Sequence, residues 1–287
     1  MLVFPERNKF ETRESNLSVN ILVCIKQIID PELAELSGRP EIKAGDEDAF
    51  SFAMPSPDNN CYRLNPFDEY AIEEALRIRD SFADVTVDAL SFGPGRCRRV
   101  LLRALEMGAN NATLLHLDRP ATLTPFETAS ILAGYLRDKD YDLILTGVMA
   151  EDGMNGQTGQ LVAALLDMPC ATAVISERLL SPRGPVYVER EEDGGERTAY
   201  EISLPVVLTI QSGINRPRYP ALSHVLRART QEIVTLDATP LRPVARERII
   251  SVSRTKSSAT CTFLAGTPVD KARQFLDFCR QKGFLGP

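Results

Sequence analysis

The sequence predicts an α/β fold, a doubly wound and mostly parallel sheet with helices on both faces, an added antiparallel hairpin and a C-terminal helical arm. Three observations carry that expectation. Apolar runs of strand length alternate with segments of helical period; the runs are continuous rather than alternating, as for strands covered on both faces; and glycine and polar residues gather where each run ends. Parallel neighbours need crossover helices, so the alternation itself implies βαβ units.

Residues 1–18 are polar and aperiodic and read as a flexible leader. The fold starts at Val19 with VNILVCI, an interior strand, followed by Lys26, Gln27 and Asp30 at its carboxyl end, where ligands bind in open α/β sheets. Residues 31–62 are rich in Pro, Gly, Asp and Ser and read as an excursion. A helix then begins: Asn65 is the expected N-cap, Pro66 suits the first helical position, and Asp68 is expected to return a carboxylate to the exposed N–H groups. Phe67, Ala71, Ala75 and Ile78 form its apolar stripe, with Glu73 and Arg77 expected as an i,i+4 pair on the solvent side. DVTVDALSFG is strand and glycine turn, RRVLLRALEMG is helix with a terminal glycine, and NATLLHL is strand. Thr124, Pro125, Phe126 and Glu127 make a capping box that opens the next helix. Beyond Pro169 the period changes: VYVERE and TAYEISL flank Asp193-Gly194-Gly195 as a hairpin, LPVVLTIQ is one more buried strand, and SGINRPRYPALSHVLRAR is a loop entering a short helix. The expected division is therefore 1–18, an α/β domain over 19–236, and an arm over 237–287 whose last helix, capped at Thr267, carries Val269, Ala272, Phe275, Leu276 and Cys279.

Composition excludes several classes. Of 287 residues, 44% are hydrophobic and 25% charged, and the net charge of -6 offers no basic excess for nucleic acid. Arg96, Arg98, Arg99 and Arg103 read as a solvated helix face. The six cysteines form no C-x-x-C pair, two histidines are too isolated for a metal site, and no apolar run reaches membrane-span length. A cytoplasmic protein without a metal and without a membrane segment is expected.

The chemistry concentrates between Tyr141 and Pro169. A buried run, Leu143 to Leu145, ends at Thr146 and Gly147; a loop with Asp152, Asn155, Gly156 and Gln157 follows; and a helix begins near Thr158, Gly159 and Gln160. Small residues before a helix N-terminus are built to cradle a phosphate, though the spacing matches neither the G-x-x-x-x-G-K-[ST] nor the G-x-G-x-x-G motif. A polar strand-to-helix loop without a ligand is the alternative.

Several segments in order resemble one family, the β subunit of electron transfer flavoprotein: NILVCIKQIID, LNPFDEYAIEEALRIRD, LSFGP, RALEMGA, DLILTG with QTGQ, EREEDGG, LPVVLTIQ and NRPRYPAL. The resemblance spans roughly residues 19–236. It implies a subunit that is not itself an enzyme, pairing with an α subunit that holds the redox-active FAD and passing electrons from flavin dehydrogenases, such as acyl-CoA dehydrogenases, to a quinone oxidoreductase. It implies a bound AMP, or a second FAD in electron-bifurcating members, contacted at Cys24, at Asn65, Pro66, Phe67 and Asp68, at Phe92, and from Gly147 and Asp152 through Gln160. It places partner recognition on Arg218, Tyr219 and Leu222. Pro31 stands where some members carry a tyrosine near the partner's flavin. Met154 to Gln160 is nearer the AMP type, whereas Lys26-Gln27 and Asp68-Glu69-Tyr70-Ala71 are nearer the bifurcating type, so AMP and a second FAD both stay open. An adenine-nucleotide hydrolase or sensor domain is the remote alternative; the S-G-G-x-D-S loop of the hydrolases is missing after the first strand.

Overall fold

The computed structural model describes residues 18–30, 32, 41–44, 50–53, 62–117, 123–241, 243 and 261–284. Contacts divide the chain into two compact units, residues 1–249 and 250–287. The leader lies outside the described residues apart from Ser18, and Pro31 lies outside them.

In the first unit, β1 (Val19–Ile25) is an interior strand of the sheet, all but Asn20 of its seven residues being buried. The other strands of that sheet are β6 (Val85–Gly93), β7 (Asn111–His116), β8 (Leu143–Gly147), β9 (Cys170–Leu179), β10 (Val186–Glu191), β11 (Arg197–Ile202), β12 (Val206–Ile210) and β13 (Ile233–Asp237). Their spatial order is β11-β10-β9-β12-β8-β1-β6-β7-β13. From β9 to β13 along that order all pairings are parallel, while β9, β10 and β11 pair antiparallel. The expected α/β sheet with an added hairpin is therefore present.

Alternation along β1 sorts the core into two layers. Ile21, Val23 and Ile25 face a cluster shared with helices α1 (Pro66–Ser81) and α2 (Arg98–Met107); Leu22 and Cys24 face one shared with α3 (Pro125–Leu136) and α4 (Thr158–Leu166). A short helix, α5 (Leu222–Ala228), packs beside α2. The capping box that opens α3 forms as expected, Thr124 Oγ1 accepting from Glu127 N and the Glu127 carboxylate from Thr124 N. In the second unit, α6 (Pro268–Gln281) has the same box between Thr267 and Asp270.

Four expectations are corrected. Part of the 31–62 excursion is regular: β2 (Gln27–Ile29) pairs with β5 (Tyr62–Leu64), and β3 (Glu41–Ala44) with β4 (Phe50–Ala53), all antiparallel. β9 and β13 are strands that the pattern did not announce. β9 is bulged, with Ala173 at φ 52, which breaks its alternation; β13 is an edge strand with only Ile233 buried. Glu73 does not pair with Arg77 on the solvent side: it is buried, and Arg77 bonds Glu74 at 2.7 Å instead. The physical reason is that a loop from far along the chain covers this face of α1 and brings Glu73 a better-oriented cation.

Candidate functional site

From β1 the chain builds outward through β6 and β7, then crosses to lay β8 on the other side of β1. The connection leaving β1 leads to α1 on one face, and the one leaving β8 leads to α4 on the other. The carboxyl ends of β1 and β8 therefore part around a crevice, the topological switch point of the sheet.

The start of α1 closes one wall. Asn65 N donates to Lys26 O at 3.0 Å, so β5 hands the chain back to the end of β1. Asn65 is the N-cap by position, but its side chain makes no cap bond. Instead its Nδ2 donates to Met149 O at 2.9 Å and its Oδ1 accepts from Glu151 N at 3.2 Å, which fastens the loop after β8. Asp68 likewise does not turn back to its own helix. One oxygen accepts from Lys26 N at 2.7 Å and the other from Gly147 N at 3.0 Å, tying β1 to β8. Burial pushes its carboxyl up to about 7, against the pull of those N–H donors. Gly147 is required by this contact: a Cβ there would lie 2.5 Å from the Asp68 carboxylate and 2.7 Å from Phe67 Cβ.

The start of α4 forms the opposite wall. This helix has no side-chain cap, and its first interior bond runs from Leu161 N to Gln157 O. By position, the N–H groups of Thr158, Gly159 and Gln160 have no acceptor within the helix. Gly159 is buried, and a Cβ there would come within 2.5 Å of Thr209 Cγ2 and 2.9 Å of Thr146 Oγ1, so the helix end sits flush on β8 and β12. Gly156, at φ +59, makes the turn that leads into it.

The charges on the rim are already paired. Lys26 Nζ lies 2.6 Å from Asp152, and Arg63 lies 2.6 Å from Glu151 and 3.8 Å from Asp30. What the crevice presents to an anion is therefore its backbone N–H groups and the positive end of α4. Cys24 contributes no reactive thiol: burial, and then Asp68, push it up to about 12. Phe92 is half-buried at the end of β6, beside Gly93.

Cys24, Asn65, Pro66, Phe67, Asp68, Gly147 and the stretch from Asp152 through Gln160 are thus brought to one edge of the sheet. Arg218, Tyr219 and Leu222 are not. Their loop runs along α1 away from the crevice, touching Tyr70 first and Asp80 last. Tyr219 is 94% and Leu222 73% exposed, whereas the Arg218 guanidinium is bound by Glu73 at 2.9 Å and Asp80 at 2.8 Å. Sequence reasoning missed Arg63, Glu151 and Thr209. Lys26 carried a signal, its place at a strand's carboxyl end; Arg63 and Glu151, 88 residues apart, carried none.

Comparison with known proteins finds one family. The family model of the electron transfer flavoprotein domain matches residues 58–241. The mitochondrial electron transfer flavoprotein subunit beta of Arabidopsis thaliana is 33% identical over 224 residues, covering 78% of this chain and 84% of the relative. The subunit beta of Sus scrofa is 36% identical over 184 residues, with 63% and 70% covered, and that of Bacillus subtilis 29% over 228 residues, with 76% and 86% covered. These matches show that the chain belongs to the electron transfer flavoprotein β-subunit family.

Proposed function

We propose that this chain is the nucleotide-holding subunit of a heterodimeric electron carrier, with AMP in the crevice between β1 and β8 and FAD held mainly by an α subunit. The observation that carries the reading is the uncapped start of α4 set flush against the switch point, with the nearby cations already neutralised. A monophosphate fits such a site: Thr158 and the N–H groups of Gln157, Thr158 and Gly159 would hold it without a metal, and the backbone near Cys24 and Asn65 would face the adenine. The FAD on the partner supplies the redox chemistry. This chain's residues bind, orient and assemble; burial pushes the thiols of Cys24 and Cys97, and of the half-buried Cys170, well above the range in which a thiol reacts at neutral pH. Tyr219 and Leu222, apolar and exposed, suit docking to a flavin dehydrogenase, with a quinone oxidoreductase as the acceptor. A reducing, cytoplasm-like compartment suits the free cysteines.

A second FAD in place of AMP is the other reading, favoured by Lys26-Gln27 and the Asp68-Glu69-Tyr70-Ala71 helix start. Denaturing the purified heterodimer and quantifying the released nucleotides separates the two. One FAD with one AMP is the expected result; two FAD without AMP would overturn the AMP reading.

A further inference from the structure

Two segments meet at the mouth of the crevice, the end of β1 and the loop between β8 and α4, and most of what joins them is pinned backbone. Lys26 is held on both sides of its backbone, its N–H donating to Asp68 at 2.7 Å and its carbonyl accepting from Asn65 N at 3.0 Å. The loop is held by the Asn65 side chain, at Met149 O and Glu151 N. Arg63 is engaged by two carboxylates, Glu151 and Asp30. The contact with the most freedom is that of Lys26 Nζ with Asp152 at 2.6 Å, the two side chains being 51% and 32% exposed. A single-point pair between part-exposed groups is the kind that water weakens most.

The start of α4 lies close by. Thr209, Thr146 and Cys24 stand side by side on β12, β8 and β1, and Gly159 is seated on the first two. Adjacent strands are about 4.8 Å apart, so the uncapped helix start is about one strand's width from Cys24, two residues before Lys26. An anion held at that start and carrying further charge toward β1 therefore meets Lys26 with its cation already taken.

We propose that the Lys26–Asp152 pair selects the length of the phosphate chain in the crevice: a nucleoside monophosphate is accepted with the pair intact, whereas a nucleoside diphosphate has to take Lys26 away from Asp152. The inference rests on the nucleotide reading and deepens it. A single phosphate at the start of α4 is met by N–H groups and the positive helix end, and it leaves the ion pair as it is. A second phosphate brings more negative charge to a mouth where lysine and aspartate cancel. It gains the Lys26 ammonium only by leaving the Asp152 carboxylate beside it without its cation, so the new attraction is offset by a like-charge contact. Because the backbone is pinned on both sides, the exchange is confined to two side chains and the crevice keeps its shape. Lys26 and Asp152 are thus specificity-determining residues.

Equilibrium binding of AMP and of ADP to the full chain, measured by isothermal titration calorimetry at low salt, tests this through the ratio of the two affinities. Asp152→Asn removes the competitor and should move that ratio toward ADP by about fivefold or more; Lys26→Gln leaves the carboxylate alone at the mouth and should move it toward AMP by about as much. The double substitution should return the ratio close to that of the unsubstituted chain, and the shifts should shrink at high salt because both groups are part-exposed. A mere loosening of the loop would lower both affinities together. A ratio that stays the same in both single variants, or moves the same way in both, would overturn the proposal while leaving the nucleotide reading in place. An unsubstituted chain that binds neither AMP nor ADP would overturn the nucleotide reading itself, and this proposal with it.

Discussion

Asp68 shows how one side chain can serve a crevice without facing a ligand. Its two oxygens are used by the N–H groups of Lys26 and Gly147, so it fixes the separation of the two strands that open there. Its burial has a pH signature. Because the carboxyl is raised to about 7 in the fold, the folded chain keeps a proton that the unfolded chain has already released. The stability it contributes is full below the ordinary carboxylate range and is lost as pH rises through about 7. Asp68→Asn should remove up to about 1.4 kcal/mol per pH unit from that fall. Denaturant titrations between about pH 5 and about pH 8 check this, and an undiminished slope would contradict it. Glu73 gives the complementary lesson: the i,i+4 spacing predicts a solvent-side pair with Arg77, but Glu73 is buried and a bidentate guanidinium 145 residues away takes it instead.

At the scale of elements, strands and helices with strong periods were legible, and those shaped by their neighbours were not. β12 announced itself because all five of its residues are buried. β9 did not, because Thr209 Oγ1 accepts from Ala173 N at 3.0 Å and holds a bulge that disrupts the alternation. The loop before α5 belongs to this scale too. Two prolines and the Arg218–Glu73 bond hold a short stretch in place while leaving Leu222 largely in water. Leu222→Ala should change unfolding stability by less than about 0.5 kcal/mol, since the side chain has little to lose on truncation. Electron transfer from the dehydrogenase should slow by about tenfold or more if that side chain anchors the complex. Stopped-flow reduction of the heterodimer measures it; an unchanged rate would remove Leu222 from the docking surface.

At the scale of the whole molecule, the described residues of the second compact unit include an exposed apolar surface. Val269, Phe275, Leu276 and Phe278 on α6 are between 45% and 66% exposed, and Phe263 and Phe284 near its ends more so. A helix with such a face is completed by another surface. With the α subunit as that surface, the double substitution Phe275→Ser, Leu276→Ser should weaken co-purification of the heterodimer by about tenfold or more, with the thermal unfolding of the α/β unit retained. Full-strength assembly of the doubly substituted chain would show that α6 docks elsewhere.

By itself the sequence determined the fold class, the parallel core, the capped helices and the family, because each is written in local periodicity or in short motifs read in order. It also located the crevice residues from Asp152 to Gln160, since glycine and a helix start are local signals. Only the tertiary structure decided that β8 lies beside β1, that Asp68 bridges them, that Lys26 and Arg63 are already neutralised, and that Arg218 reaches Glu73. Periodicity reports whether a residue is buried but not what it is buried against; these partners are set by strand order and by contacts between segments far apart in the chain.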